Sequence, residues 1–175
     1  RACNVVIDIL GGTDVVPELV ENQYMMGQAK ALRAHAYFYL TQYFTESYDP
    51  AAEILPIYIT SLDQNGPKVT TQVIFDQIFE DLNDAVTLLN GFERAGKHQV
   101  DQNVAKGILA YVHAYVGNNE EAKDLTDEII LTNEFPLTTS AQAVGGFNDL
   151  ATPSWMWGFD ITLDTGLDLV SWWGQ

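Results

Sequence analysis

The residues best equipped for chemistry lie late in the chain. "LDTGLD" spans 163–168, and Asp-Thr-Gly after apolar residues is how aspartic proteases present a carboxylate, two of which share one proton to activate water. Those enzymes are all-β and need a second Asp-Thr/Ser-Gly copy. None occurs in the 175 residues, and the stretch before this motif is mostly helical in pattern. Asp160, Asp164 and Asp168 recur at four-residue spacing. Such carboxylates could offer calcium its oxygen ligands, but the Asp-x-Asp-x-Asp-Gly loop is missing, so they read as surface acids. His35, His98 and His113 lack ligand spacing such as His-Glu-x-x-His. His35 and His113 fall inside helical patterns, where core or interface hydrogen bonds are expected. Cys3 is the single cysteine, which rules out an internal disulfide, and it reads as a packed thiol on a short amphipathic helix. With no Gly-rich phosphate loop, nucleophile elbow or Cys–His pair, no catalytic residue, metal or cofactor is expected.

Binding chemistry has better material. All four tryptophans fall in "PSWMWGF" (153–159) and "SWW" (171–173). Trp155, Trp157 and Phe159 alternate, as in a half-buried extended segment. Such rings can plug the end of a domain or pack on sequence outside this stretch. They can also form a sugar platform: a flat ring matches the apolar C–H face of a pyranose, and a nearby Asp or Asn accepts its hydroxyls. Trp172 and Trp173, beside Asp168 in a Gly-rich stretch, are the candidate carbohydrate-binding residues.

The elements that must position these rings are helical. At 47% hydrophobic and 11% aromatic, 175 residues can bury one sizeable core. Twenty-four acids against eight bases leave a net charge of −16, which repels phosphate backbones and sets nucleic acid aside as a partner. No run of eighteen apolar residues is present to span a membrane. A first helix in "RACNVVIDIL" is already under way at Arg1, so the sequence reads as an internal piece of a longer protein. The pattern then predicts helices over about 20–44, from Thr70 or Thr71 to near Gly91, over 102–116, and in "EEAKDLTDEIILTN". Residues 45–70 form a connection containing the extended piece "ILPIYIT". Residues 1–136 form the helical region; residues 137–175 read as a loop-rich, Trp-containing segment with short extended pieces, the truncated start of a ligand-binding part.

Repetition organises the helices. "AKALRAHAYFYL" (29–40) aligns with "AKGILAYVHAYV" (105–116), identical at Ala29/Ala105, Lys30/Lys106, Ala34/Ala110 and Tyr39/Tyr115. Leu109-Ala110, Gly117, Ala122 and Pro136 follow the large–small–turn–small order of a tetratricopeptide unit. This predicts an all-α, tetratricopeptide-like α-α superhelix. Tyr37, Phe38, Tyr39, Tyr43 and Phe44 are expected as core rings, with neighbours on several sides.

The order of pieces resembles the SusD/RagB family of outer-membrane nutrient-binding lipoproteins. Gln28-Ala29, Leu32-Arg33-Ala34, Tyr37 and Leu40 match that family's "E/QA-x-x-LRA-x-x-Y-x-x-L", and Leu55-Pro56-Ile57 its proline segment. Ile78, Asp81-Leu82, Ala85 and Leu88 or Leu89 match "I-x-x-DL-x-x-A-x-x-L". "AKGILAYVHAYVGNNEEAKDLTDEII" matches a third motif, with Tyr111 in place of a common Arg and Thr126 in place of a common Ala. The resemblance covers roughly residues 1–136. It implies a non-enzymatic protein on the outer face of the outer membrane that captures oligosaccharides, or peptides, for a SusC-like TonB-dependent transporter. Membrane contact would be only through a lipid anchor that this chain does not include. The alternative is a tetratricopeptide-like scaffold for protein partners.

Overall fold

Capping chemistry fixes several helix ends. In the computed structural model, which describes residues 1–145 and 149–160, the chain runs α1 (Ala2–Ile9), α2 (Val20–Gln42), β1 (Glu53–Leu55), β2 (Val69–Thr70), α3 (Thr71–Leu88), α4 (Gln102–Val116), α5 (Asn119–Leu131) and α6 (Ser140–Val144). The Thr70 side chain caps α3 by accepting from Val73 N. Asp101 Oδ1 caps α4, accepting from Val104 N at 2.8 Å. Gly117 closes α4 at φ 92°, letting Asn118 N–H reach the His113 carbonyl at 2.9 Å. α2 stops two residues short of the predicted 44. "ILPIYIT" is strand only over β1, which pairs antiparallel with β2. α6 was not expected; its reciprocal Thr139/Gln142 capping box is the local signal for it.

The first five helices pack in sequence order: α1 on α2, α2 along α3, α3 against α4, α4 against α5. This is the stacked-hairpin architecture that the repeat predicts. The repeat also has a spatial meaning. Lys30 of α2 pairs with Asp84 of α3, and Lys106 of α4 pairs with Glu128 of α5 at 2.7 Å. Ala29, Ala34, Ala105 and Ala110 are all buried, so each hairpin is seated through the same small residues. The main core joins α2, α3, α4 and β1 through Ala34, Phe38, Phe75, Ile78, Leu82, Ile108 and their neighbours. A smaller cluster of Ile7, Met26, Ala29 and Leu88 fastens α1. Gly27 allows the close approach of α2 to α3: a Cβ there would lie 2.8 Å from Leu89 Cγ and 3.2 Å from Leu88 Cβ.

The aromatic residues of α2 depart from expectation. Phe38 is buried and Tyr37 half-buried, but Tyr39, Tyr43 and Phe44 are 52%, 82% and 61% exposed, and Ala36 and Leu40 are exposed too. The reason is steric and electrostatic. α3 approaches α2 over its small residues, and the space between them holds Lys30 and Arg33, with Phe38 meeting Phe75 beyond them. Arg33 grips Asp81 with both arms of its fork, Nε to Oδ2 at 2.7 Å and Nη2 to Oδ1 at 2.6 Å. Its Nη1 donates to Asn4 Oδ1, Thr13 Oγ1 and the Ile59 carbonyl. Asn4 in turn donates to the Tyr58 and Thr60 carbonyls at 2.9 and 3.0 Å. Burial pushes the Asp81 carboxyl up, and the guanidinium across both its oxygens opposes that. Among the described residues, no buried side-chain nitrogen or oxygen lacks a partner.

Candidate functional site

One of the displaced rings, Tyr39, lines a groove. α2 contributes His35, Phe38 and Tyr39; α4 contributes Val104, Gly107, Ile108 and Tyr111; residues 154–157 close the side with Ser154, Met156 and Trp157. Its volume of about 350 Å³ is at the small end of the ~300–1,000 Å³ typical of small-molecule sites. Phe38 is its buried floor, and Tyr39 and Tyr111 (73% exposed) stand at its mouth. The His35 ring lies 4.7 Å from Tyr39 and meets Trp157 edge-on at 5.1 Å. Trp157 in turn contacts Phe159 at 6.0 Å. Burial holds the His35 imidazole below its ordinary pKa, so at neutral pH it offers one donor and one acceptor without charge. The expected core hydrogen bond is therefore replaced by ring contacts at His35. His113 does sit within 3.3 Å of Asn118 Nδ2.

A strap, residues 149–158, carries the tryptophan wall, and the loop before α4 holds it. Arg94 Nη1 donates to the Met156 carbonyl at 2.6 Å, and Arg94 Nε pairs with Asp101 Oδ2 at 2.8 Å. Lys97 Nζ donates to the Thr152 carbonyl at 2.6 Å, Gly158 N–H to the Lys97 carbonyl, and the Trp157 indole to the His98 carbonyl at 3.2 Å. Asp101 thus does two jobs, capping the helix that forms one wall and anchoring the arginine that fixes the other. The strap is not the alternating extended segment expected. It turns at 149–155 through Thr152 N–H to the Asp149 carbonyl and Trp155 N–H to the Thr152 carbonyl, leaving Trp155, Met156 and Trp157 all partly buried.

The predicted platform residues Trp172, Trp173 and Asp168, with Asp164, lie outside the described residues; Asp160 is exposed. Among the described residues, no group of His, Cys, Asp and Glu could hold a metal ion, and no helix is long and apolar enough to cross a membrane. Cys3 is half-buried at the edge of a second groove rather than packed in the core, and burial raises its pKa. That second groove, about 470 Å³, lies along Tyr37, Leu40, Phe44, Leu55, Pro56 and Tyr58. Sequence reading did not single out Tyr39 and Tyr111, which line the first groove. Their signal was chemical: tyrosine, rather than leucine, where a fully buried face would need no hydroxyl.

No protein-family model matches the sequence, and no curated protein does. Solved structures do. A SusD-like carbohydrate binding protein from Bacteroides vulgatus is 29% identical, with a TM-score of 0.81 over 93% of this chain and 35% of that one. The chain is similar to SusD-like proteins in both fold and sequence. A SusD superfamily protein from Bacteroides thetaiotaomicron shares the fold at 19% identity, with a TM-score of 0.80 over 93% of this chain and 37% of that one. A laminarin binding SusD-like protein shares it at 23% identity, with a TM-score of 0.59 over 79% of this chain and 28% of that one. The chain therefore spans about a third of the length of these SusD-like structures. Within it, the residues that carry the family's motifs are those that seat its helices: Arg33 of "LRA" grips Asp81 of "DL", and the Ala-Lys pairs of α2 and α4 face α3 and α5.

Proposed function

We propose that this SusD-like chain is part of a non-enzymatic protein that captures glycans, with peptides as the second ligand class, at the outer face of the outer membrane. It would deliver them to a SusC-like TonB-dependent transporter, with a lipid anchor as its only membrane contact. The observation that carries the glycan reading is the groove: exposed tyrosines, a neutral imidazole and a clamped tryptophan around an apolar floor. Such walls pack the C–H face of a sugar and offer hydroxyls at the rim. The 29%-identical carbohydrate binding relative supports it. Trp172 and Trp173, with Asp168, are proposed to extend the platform, and the described helices are proposed to form one domain with residues 137–175 beginning the ligand-binding part. Calorimetry of the full-length protein against an oligosaccharide panel tests this. We expect heat with a subset of glycans and about tenfold weaker binding in Trp172→Ala/Trp173→Ala. No heat with any glycan sinks the glycan reading and leaves peptide capture or the protein scaffold. The scaffold alternative draws on Leu40, Tyr43 and Phe44, an exposed apolar stripe at and just past the end of α2 of the kind that meets protein partners.

A further inference from the structure

We infer that the groove between α2, α4 and the strap selects the ring of an uncharged pyranose and rejects uronate and sulfated sugars. This rests on the glycan-capture reading and adds to it a ligand class set by charge. Among the described residues, the lining contains no aspartate, glutamate, lysine or arginine. Its polar atoms are the hydroxyls of Tyr39, Tyr111 and Ser154 and the imidazole of His35, which burial keeps neutral. Hydroxyls and a neutral imidazole can both donate and accept, which matches sugar hydroxyls. They cannot neutralise a carboxylate.

A cation could still reach in from the rim, so all eight matter, and all lie among the described residues. Lys30, Arg33, Lys106 and Lys123 are paired with Asp84, Asp81, Glu128 and Asp127. Arg94 is paired with Asp101, and Lys97 is tied to the Thr152 carbonyl beneath the strap. Arg1 donates to the Asp63 carbonyl and lies over the Tyr58 ring, at the other groove. Lys68 sits in the loop before β2. None is on the groove wall. An anionic sugar would therefore lose its hydration without gaining a counter-charge, and would approach a molecule of net charge −16. A neutral pyranose meets neither penalty.

The test uses the full-length protein and sugar pairs matched in length: neutral gluco- and galacto-oligosaccharides against oligoglucuronides and oligogalacturonides. Affinities are read by calorimetry at low and physiological ionic strength. The neutral member of a pair should bind at least tenfold tighter, with the gap narrowing as salt screens the repulsion. Tyr111→Ala and Trp157→Ala should each weaken neutral-sugar binding, and Tyr111→Arg should raise uronate affinity by placing a cation at the mouth. Tyr111 is mostly solvent-facing, so unchanged thermal melting verifies that its variants fold. Uronates binding as tightly as neutral sugars would overturn the inference while leaving glycan capture standing. Neutral sugars whose affinity neither Tyr111→Ala nor Trp157→Ala moves would place the ligand elsewhere, with the same consequence. No binding by any sugar overturns glycan capture itself, and this inference with it.

Discussion

At the residue scale, the Arg33–Asp81 pair is the most constrained feature of the molecule. The two side chains are 3% and 0% exposed, so removing one strands the other's charge in the interior. Breaking a buried pair this way costs about 3–5 kcal/mol, and Asp81→Ala is expected to lose that much stability in urea unfolding. Arg33→Lys should also lose stability, because an ammonium cannot supply the fork that reaches Asp81 while Nη1 holds Asn4, Thr13 and Ile59. A Lys variant as stable as the parent would show that charge alone suffices. Both residues were legible as parts of motifs, but their pairing was not: they are 48 positions apart, and spacing along a chain says nothing about contacts between helices. His35 gives a second expectation at this scale. Burial depresses its folded pKa below the ordinary 6.5, so the unfolded chain binds the proton more readily. Its contribution is then complete above about pH 6.5 and is lost as pH falls from there through the folded value. His113 is shifted the same way by burial. Urea midpoints should decline below pH 6.5, and His35→Gln should flatten that decline; an unchanged slope would remove His35 as its cause.

At the element scale, the groove depends on a clamp rather than on a helix. Hydrogen bonds to charged groups contribute about 1.5–3 kcal/mol, and Arg94 makes two such links, to Asp101 and to the Met156 carbonyl. Arg94→Ala should free the strap while leaving α2 and α3 in place. Amide exchange is the direct readout, since Gly158 N–H and the Trp157 indole N–H are both donors into the 97–98 backbone. Their protection should fall by an order of magnitude or more, with protection in α3 unchanged. Equal losses in α3 would mean that Arg94 supports the whole fold instead. Sequence reading placed α4 to the residue at its end because Gly117 carries its own local physics, a left-handed turn; the Asp101 side-chain cap at its start is seen in the structure. It misread the strap because alternating apolar residues mimic a strand wherever a long-range clamp, rather than a sheet, supplies the backbone partners.

At the scale of the whole molecule, the stack explains both what was readable and what was not. A repeat whose first helix recurs 76 positions on, with Lys30 and Lys106 each meeting an acid on the following helix, announces hairpins without fixing which flank is covered. That is why the rings of α2 were assigned to the core: periodicity gave the helix several possible neighbours, and α3 took the side with small residues. The same logic ranks the stability of the helices. α3 has α2 on one side and α4 on the other and buries Ile74, Phe75, Ile78, Leu82 and Ala85. Among the described elements, α5 packs mainly on α4, and Ile129 is its one buried residue, while Ile130 and Leu131 stand 69% and 78% exposed. Stability in a stack is roughly a sum of helix and nearest-neighbour terms, so an end helix with a single buried side chain should open before the global transition. Native-state exchange of this chain is expected to show α5 amides opening at much lower free energy than those of α3, with Ile129→Ala lowering α5 protection and leaving α3 nearly unaffected. Uniform protection across both helices would mean that the molecule unfolds as one cooperative unit. In the full-length protein, a rise in α5 protection toward that of α3 would identify the exposed Ile130 and Leu131 as the place where the stack continues.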